Sequence, residues 1–116
     1  MTRDHLIAIE VVFYCTAAGA EPVRDWLRGM PAADRRTIGT DLATVQFGWP
    51  VGMPLCRPLG GGLWEVRSNL PRGRIARTIF CIEKEQLILL HGFIKKTQKT
   101  PPGEIDLALK RKREGV

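Results

Sequence analysis

The sequence predicts an α+β fold: a mainly antiparallel sheet of four to five strands, with two N-terminal helices and one C-terminal helix packed on one of its faces. Three observations predict it. Apolar residues recur at helical spacing in two segments of the first half, whereas the second half is a series of β-branched runs parted by short turns. The resulting order is β-α-α-β-β-β-β-α, and strands joined by turns too short for a crossover must run antiparallel. Finally, 116 residues with 44% hydrophobic and 26% charged side chains suit one globular core, a single domain over residues 1–116.

The elements follow in order. Ile7 to Cys15 is rich in β-branched and aromatic residues and reads as a strand, closed by Gly19. Ala20 to Arg28 reads as a short helix with Pro22 in its first turn; Val23, Trp26 and Leu27 share one face, and Gly29 ends it. Pro31 starts a second helix with Asp34 in its first turn. Ile38, Leu42 and Val45 form its stripe, and Gly48-Trp49-Pro50 stops it. Leu55 to Leu59 is a weak strand, Gly60-Gly61-Gly62 a flexible turn, and Leu63 to Ser68 another strand. Asn69 to Gly73 is a turn. Ile75 to Glu83 and Gln86 to Ile94 are two longer strands, joined at hairpin length by Lys84-Glu85. After a basic loop from Lys95 to Lys99, Thr100 is placed to cap a last helix, with Pro101 and Pro102 in its first turn. Glu104 and Asp106 near the start of that helix and Lys110 to Arg113 at its end match the helix dipole. Ile105, Ala108 and Leu109 form its apolar face.

The charge is unevenly spread. Residues 1–58 carry six basic and six acidic side chains, residues 59–116 twelve and six, so the whole +6 excess lies in the second half. That asymmetry fits a polyanion-binding surface, and equally a solvated basic face. No apolar run approaches the roughly 18 residues of a membrane span, and the polar start is unlike a signal peptide; the expected location is cytoplasmic. Cys15, Cys56 and Cys81 are widely spaced and sit among apolar neighbours, which favours buried thiols over a disulfide or zinc site. No metal and no cofactor is expected.

Catalytic signatures such as the phosphate loop, the zinc-helix motif and the nucleophile elbow are missing. The informative cluster is Arg67, Arg77, His91, Lys95 and Lys96, the expected catalytic set. Alternation puts Leu63, Glu65 and Arg67 on one face of their strand, and Ile75, Arg77, Ile79 and Cys81 on one face of the next. An arginine in the middle of an apolar strand needs an anionic partner, either Glu65 or a substrate phosphate. His91 also interrupts an apolar strand, and such a histidine is either structural or a proton carrier. Lys95, Lys96 and Lys99 repel one another within five residues, which a bound polyanion would relieve. Arg72, Arg74, Lys99, Lys110 and Arg111 are the expected polyanion-contacting residues around this set.

Gly62-Leu63-Trp64-Glu65-Val66-Arg67, then Arg77, then His91-Gly92-Phe93-Ile94-Lys95-Lys96-Thr97-Gln98-Lys99-Thr100-Pro101 and a helix with Glu104-Ile105 and Ala108 occur in that order. The pattern resembles the phage-derived toxin family related to the HigB and RelE toxins of type II toxin–antitoxin pairs, from about Val11 to Arg113. The resemblance implies a RelE-like fold, and a toxin that inhibits translation by cleaving mRNA, commonly on the ribosome. It also implies a cognate helix-turn-helix (HigA-like) antitoxin as partner, and no membrane. Carried over by position, Arg67 and Arg77 are the strand arginines of the active site, and Lys95 and Lys96 the basic loop at its rim. RelE toxins often place an aromatic residue before the strand arginine and a tyrosine near the C-terminus. Here Ala76 stands at the first position, and the one tyrosine is Tyr14.

RNA carries its own nucleophile, the 2′-hydroxyl. An enzyme has only to align it, take its proton and stabilise the phosphorane and leaving oxygen. Arginine forks suit the phosphate; a lysine among other cations, or His91, is a candidate acid or base. Two other readings remain open: a ParE-like inhibitor of DNA gyrase on the same fold, and a basic nucleic-acid-binding module without chemistry.

Overall fold

The computed structural model describes residues 8–95 and 99–115. The chain runs β1 (Glu10–Phe13), α1 (Pro22–Arg28), α2 (Ala32–Gly48), β2 (Cys56–Gly60), β3 (Leu63–Asn69), β4 (Ile75–Glu83), β5 (Gln86–Lys95) and α3 (Pro102–Gly115), with one short 3₁₀ turn at Pro71–Gly73. This is the predicted α+β order, with helix and strand bounds within a few residues of those read from the sequence. The five strands lie in the order β1-β5-β4-β3-β2. Only β1 runs parallel to its neighbour, β5; the other three pairings are antiparallel. The arrangement fits a RelE-like fold. Among the described residues no helix is long and apolar enough to cross a membrane.

One expectation needs correcting: the helices do not share a face. Val23 of α1 and Ile38, Leu42 and Val45 of α2 pack on Val66, Ala76, Phe80, Leu87 and Leu89. Ala108, Ile105 and Leu109 of α3 pack on the opposite side, against Leu63, Ile79, Cys81, Ile88, Leu90 and Phe93. The long strands β4 and β5 are apolar on both faces, as central strands covered twice must be; alternation alone does not reveal which helix covers which side.

Local chemistry explains several details. Lys84 and Glu85 take φ of 50° and 64°, the left-handed pair that a two-residue hairpin requires, without the Gly or Asn that usually fills it. Gly61, at φ 63°, lies under α3, where a Cβ would come within 2.9 Å of Leu109 Cδ2. At Gly92 a Cβ would collide with the Trp26 ring, so this glycine lets α1 lie directly on β5. The face of β5 shifts once. Ile79 pairs with His91 but Phe80 with Leu89, and the extra residue, Leu90, is a bulge that puts Leu90 and His91 together on the α3 side. Cys56 and Cys81 are buried, and burial pushes both thiols up to about 11. Cys15 differs from expectation: it follows the end of β1 and is exposed.

Candidate active site

Residues directly paired across antiparallel strands share a face. Arg57 of β2 pairs with Glu65 of β3, which pairs with Ile79, which pairs with His91. One step along, Arg67 pairs with Arg77, and Arg77 with Phe93; a further step pairs Ile75 with Lys95. Four neighbouring strands thus put Arg57, Arg67, Arg77 and Lys95 on the α3 side of the sheet, beyond the end that α3 covers. The sequence reading missed Arg57. The signal was its odd-numbered place in β2 opposite Glu65, hidden because Cys-Arg-Pro-Leu-Gly has little strand character.

Within this set the cations differ. Arg77 and Glu65 are completely buried, with Arg77 Nε 3.9 Å from Glu65 Oε1. The Thr100 hydroxyl donates a hydrogen bond to the same Glu65 oxygen. Thr100 does not stand in the cap position expected of it, because α3 starts at Pro102 and the residue before it is Pro101. Its hydroxyl gives the buried Glu65 carboxylate a donor, while Pro101 O accepts from Glu104 N and Ile105 N. Burial lowers the Arg77 pKa; Glu65 raises it, and the Arg67 and Arg57 charges add to the lowering. Arg67 and Arg57 are half-buried and Lys95 is exposed, so these three present charge to solvent. Lys96 lies outside the described residues.

His91 is held on both sides. Its Nε2 lies 2.5 Å from Glu104 Oε1 and its Nδ1 3.4 Å from Arg111 Nη1, and its ring stacks on Phe93. Arg111 also donates to Leu90 O at 2.8 Å and sits over the Tyr14 ring. Tyr14 in turn donates to Glu114 Oε1 at 3.1 Å. These contacts fasten α3 to β5 and β1, and they engage both nitrogens by which His91 would exchange protons with a substrate.

The expected polyanion-contacting residues are scattered. Arg74 is clamped to Asp34 through two bonds of 2.8 and 3.1 Å, which ties the β3–β4 turn to the start of α2. Arg74 holds the Asp34 carboxyl below the usual carboxylate range. Arg72 is exposed in the 3₁₀ turn with φ 67°. Lys99 is exposed just before α3, Lys110 is exposed on that helix, and Arg111 turns inward as described. Among the described residues no group of three or more His, Cys, Asp or Glu side chains is placed to hold a metal ion.

A family model described as phage derived protein Gp49-like (DUF891) matches residues 25–113, most of the chain. The chain belongs to this family. No curated protein matches it. The matched span of this Gp49-like protein begins within α1 and ends in the last turn of α3, so it contains Arg57, Arg67, Arg77 and Lys95 and also His91 with Glu104 and Arg111, while Tyr14 and Glu114 fall outside it.

Proposed function

We propose that this Gp49-like protein is the toxin of a type II toxin–antitoxin pair, an endoribonuclease that stops translation by cleaving mRNA, on or off the ribosome. The observation that carries the reading is the row of Arg57, Arg67, Arg77 and Lys95 across four adjacent strands on one face of the sheet. A rigid sheet holding guanidinium forks at fixed spacing suits a phosphodiester whose charge grows in the transition state.

In the step itself the 2′-oxygen attacks phosphorus and loses its proton, the bond to the 5′-oxygen breaks, and that oxygen takes up a proton. The products are a 2′,3′-cyclic phosphate and a 5′-hydroxyl end. RNA supplies the nucleophile, so this step has no need of a metal-bound water. Arg67 and Arg57, which reach solvent, hold the phosphate. Arg77, buried beside Arg67 on the next strand, positions Glu65 and adds its field from below. Lys95 at the rim is the proton-transferring group, because His91 is spent on Glu104 and Arg111. A HigA-like helix-turn-helix antitoxin that covers this face would silence the toxin, and opposite charge would speed its association.

The test is to incubate the purified protein with mRNA, with and without translating ribosomes, and to map 5′ ends. New 5′-hydroxyl ends are expected, and Arg67→Ala should lower the single-turnover rate by about 10²-fold or more. Intact mRNA together with a DNA-damage response in expressing cells would point to gyrase and overturn the reading.

A further inference from the structure

Beside the basic face, at the edge of the sheet, lies a cleft of about 400 Å³ lined by Thr37 and Asp41 of α2, Pro54 and Leu55 before β2, and Arg67 and Asn69 of β3. Its volume falls within the range of small-ligand pockets, roughly 300–1,000 Å³. Helical spacing explains one wall: Thr37 and Asp41 are one turn apart and flank the buried stripe of Ile38, Leu42 and Val45. The sheet edge explains the other, because Arg67 and Asn69 lie past Val66, the last β3 residue that β2 pairs, and Arg67 N donates to Leu55 O there. The Thr37 hydroxyl donates to Ala33 O, which leaves its oxygen free to accept. Pro54 and Leu55 supply an apolar side.

Asp41 and Arg67 carry opposite charges and line the same cleft, yet among the described residues no ion pair joins them or engages Asp41 elsewhere. The contrast on the same helix is Asp34, which Arg74 clamps at 2.8 Å. A carboxylate and a guanidinium kept apart across a small cleft suit a ligand that offers donors to one and an anion to the other. Asn69, between them in character, offers both a donor and an acceptor.

We propose that this cleft is a guanine-selective subsite for a nucleotide next to the scissile phosphate, a reading that rests on the nuclease function proposed above. The Watson–Crick edge of guanine presents O6, N1–H and N2–H in a row. Asp41 accepts from N1–H and N2–H, the Asn69 amide donates to O6, and Arg67 holds the phosphate where the cleft meets the basic face. Uracil has one ring N–H for the carboxylate, and adenine and cytosine have a single amino group. None presents the two adjacent donors that a carboxylate grips.

Titration with GMP, AMP, CMP, UMP and IMP, followed by the amide resonances of Thr37, Asp41 and Asn69, tests the site without any cleavage. GMP should bind about tenfold more tightly than AMP, CMP or UMP, as one good bidentate contact allows. IMP, which lacks the N2 amine, should bind more weakly than GMP. Asp41→Asn is conservative and half-exposed; it should weaken GMP by about tenfold and leave AMP within about twofold. Equal binding of the five nucleotides overturns the proposal, as does an Asp41→Asn protein with unchanged helicity and unchanged GMP affinity. Cleavage of a mixed-sequence RNA separates this proposal from the one it rests on. Selective GMP binding without cleavage keeps the site and removes the nuclease reading. Cleavage without base preference or nucleotide selectivity removes the site and keeps the nuclease.

Discussion

Replacing Arg77 by Met removes the charge but keeps a long, flexible, unbranched side chain in the same volume. The structure sets the expected cost. Both partners of the Arg77–Glu65 pair are completely buried, and their nearest charged atoms are 3.9 Å apart. At an effective dielectric constant of about 20, two unit charges near that distance attract by about 4 kcal/mol. Removing one partner of a buried pair commonly costs about 3–5 kcal/mol, because the other charge stays buried without compensation. For a domain of this size each kcal/mol is worth about 4 °C, so the melting temperature should fall by roughly 12–20 °C. Glu65→Gln/Arg77→Met removes both charges and should recover most of the stability, which gives a folded protein in which to measure cleavage. The assay is thermal and denaturant unfolding of the parent and the two variants, with single-turnover cleavage on the double variant. An Arg77→Met protein that melts within a few degrees of the parent would refute the buried pair. A double variant that cleaves at the parental rate would refute a part for Arg77 in the chemistry.

Gly92→Ala should destabilise by about 1–3 kcal/mol, since its new methyl group meets the Trp26 ring and α1 must shift; unfolding of Gly92→Ala, Trp26→Ala and the double variant should show coupling between the two sites. Asp34→Asn should flatten the acid limb of stability. Arg74 depresses the Asp34 carboxyl in the folded state, so the stabilisation it gives is present above the ordinary Asp value near 3.8 and is lost as pH falls through the folded value; acid titrations of both proteins check the sign. His91→Gln should lower the cleavage rate by less than about tenfold, in contrast to the loss of about 10²-fold or more expected for a proton-transferring group, while amide exchange in α3 accelerates because Glu104 and Arg111 lose their shared anchor.

The sequence was most legible where local chemistry acts alone. Ile75–Glu83 appears with the bounds read from composition and turn signals, because β-branched residues between Gly73 and Lys84-Glu85 have no competing arrangement. The stripes Val23 and Ile38, Leu42, Val45 are buried as their spacing requires. What stayed hidden was tertiary. Leu87 and Ile88 look equally apolar, yet one meets α1 and α2 and the other meets α3. Nothing in a doubly covered strand says which helix lies where. Thr100 looked like a cap because caps are read from neighbours in sequence, whereas its hydroxyl serves Glu65, 35 residues away.

The candidate site shows the same division. Arg67 and Arg77 were visible because a cation within an apolar strand stands out, and the cross-strand register makes them direct neighbours. Their difference was not visible: one reaches solvent and the other is sealed beside Glu65, which separates a guanidinium open to the solvent from one held by an internal partner. His91 stood out for the same reason as the arginines, but the bulge at Leu90 turns it toward α3, where Glu104 and Arg111 take both of its nitrogens. Arg57 and Asp41 went unremarked because each is an ordinary charge in its own segment. Each gains meaning only when the fold sets Arg57 beside Glu65 and Asp41 across a cleft from Arg67. A charge that conflicts with its neighbours in sequence announces itself in one dimension. A charge whose partner is a ligand looks like any solvated residue until a second, uncancelled charge appears on the other wall of the same cleft.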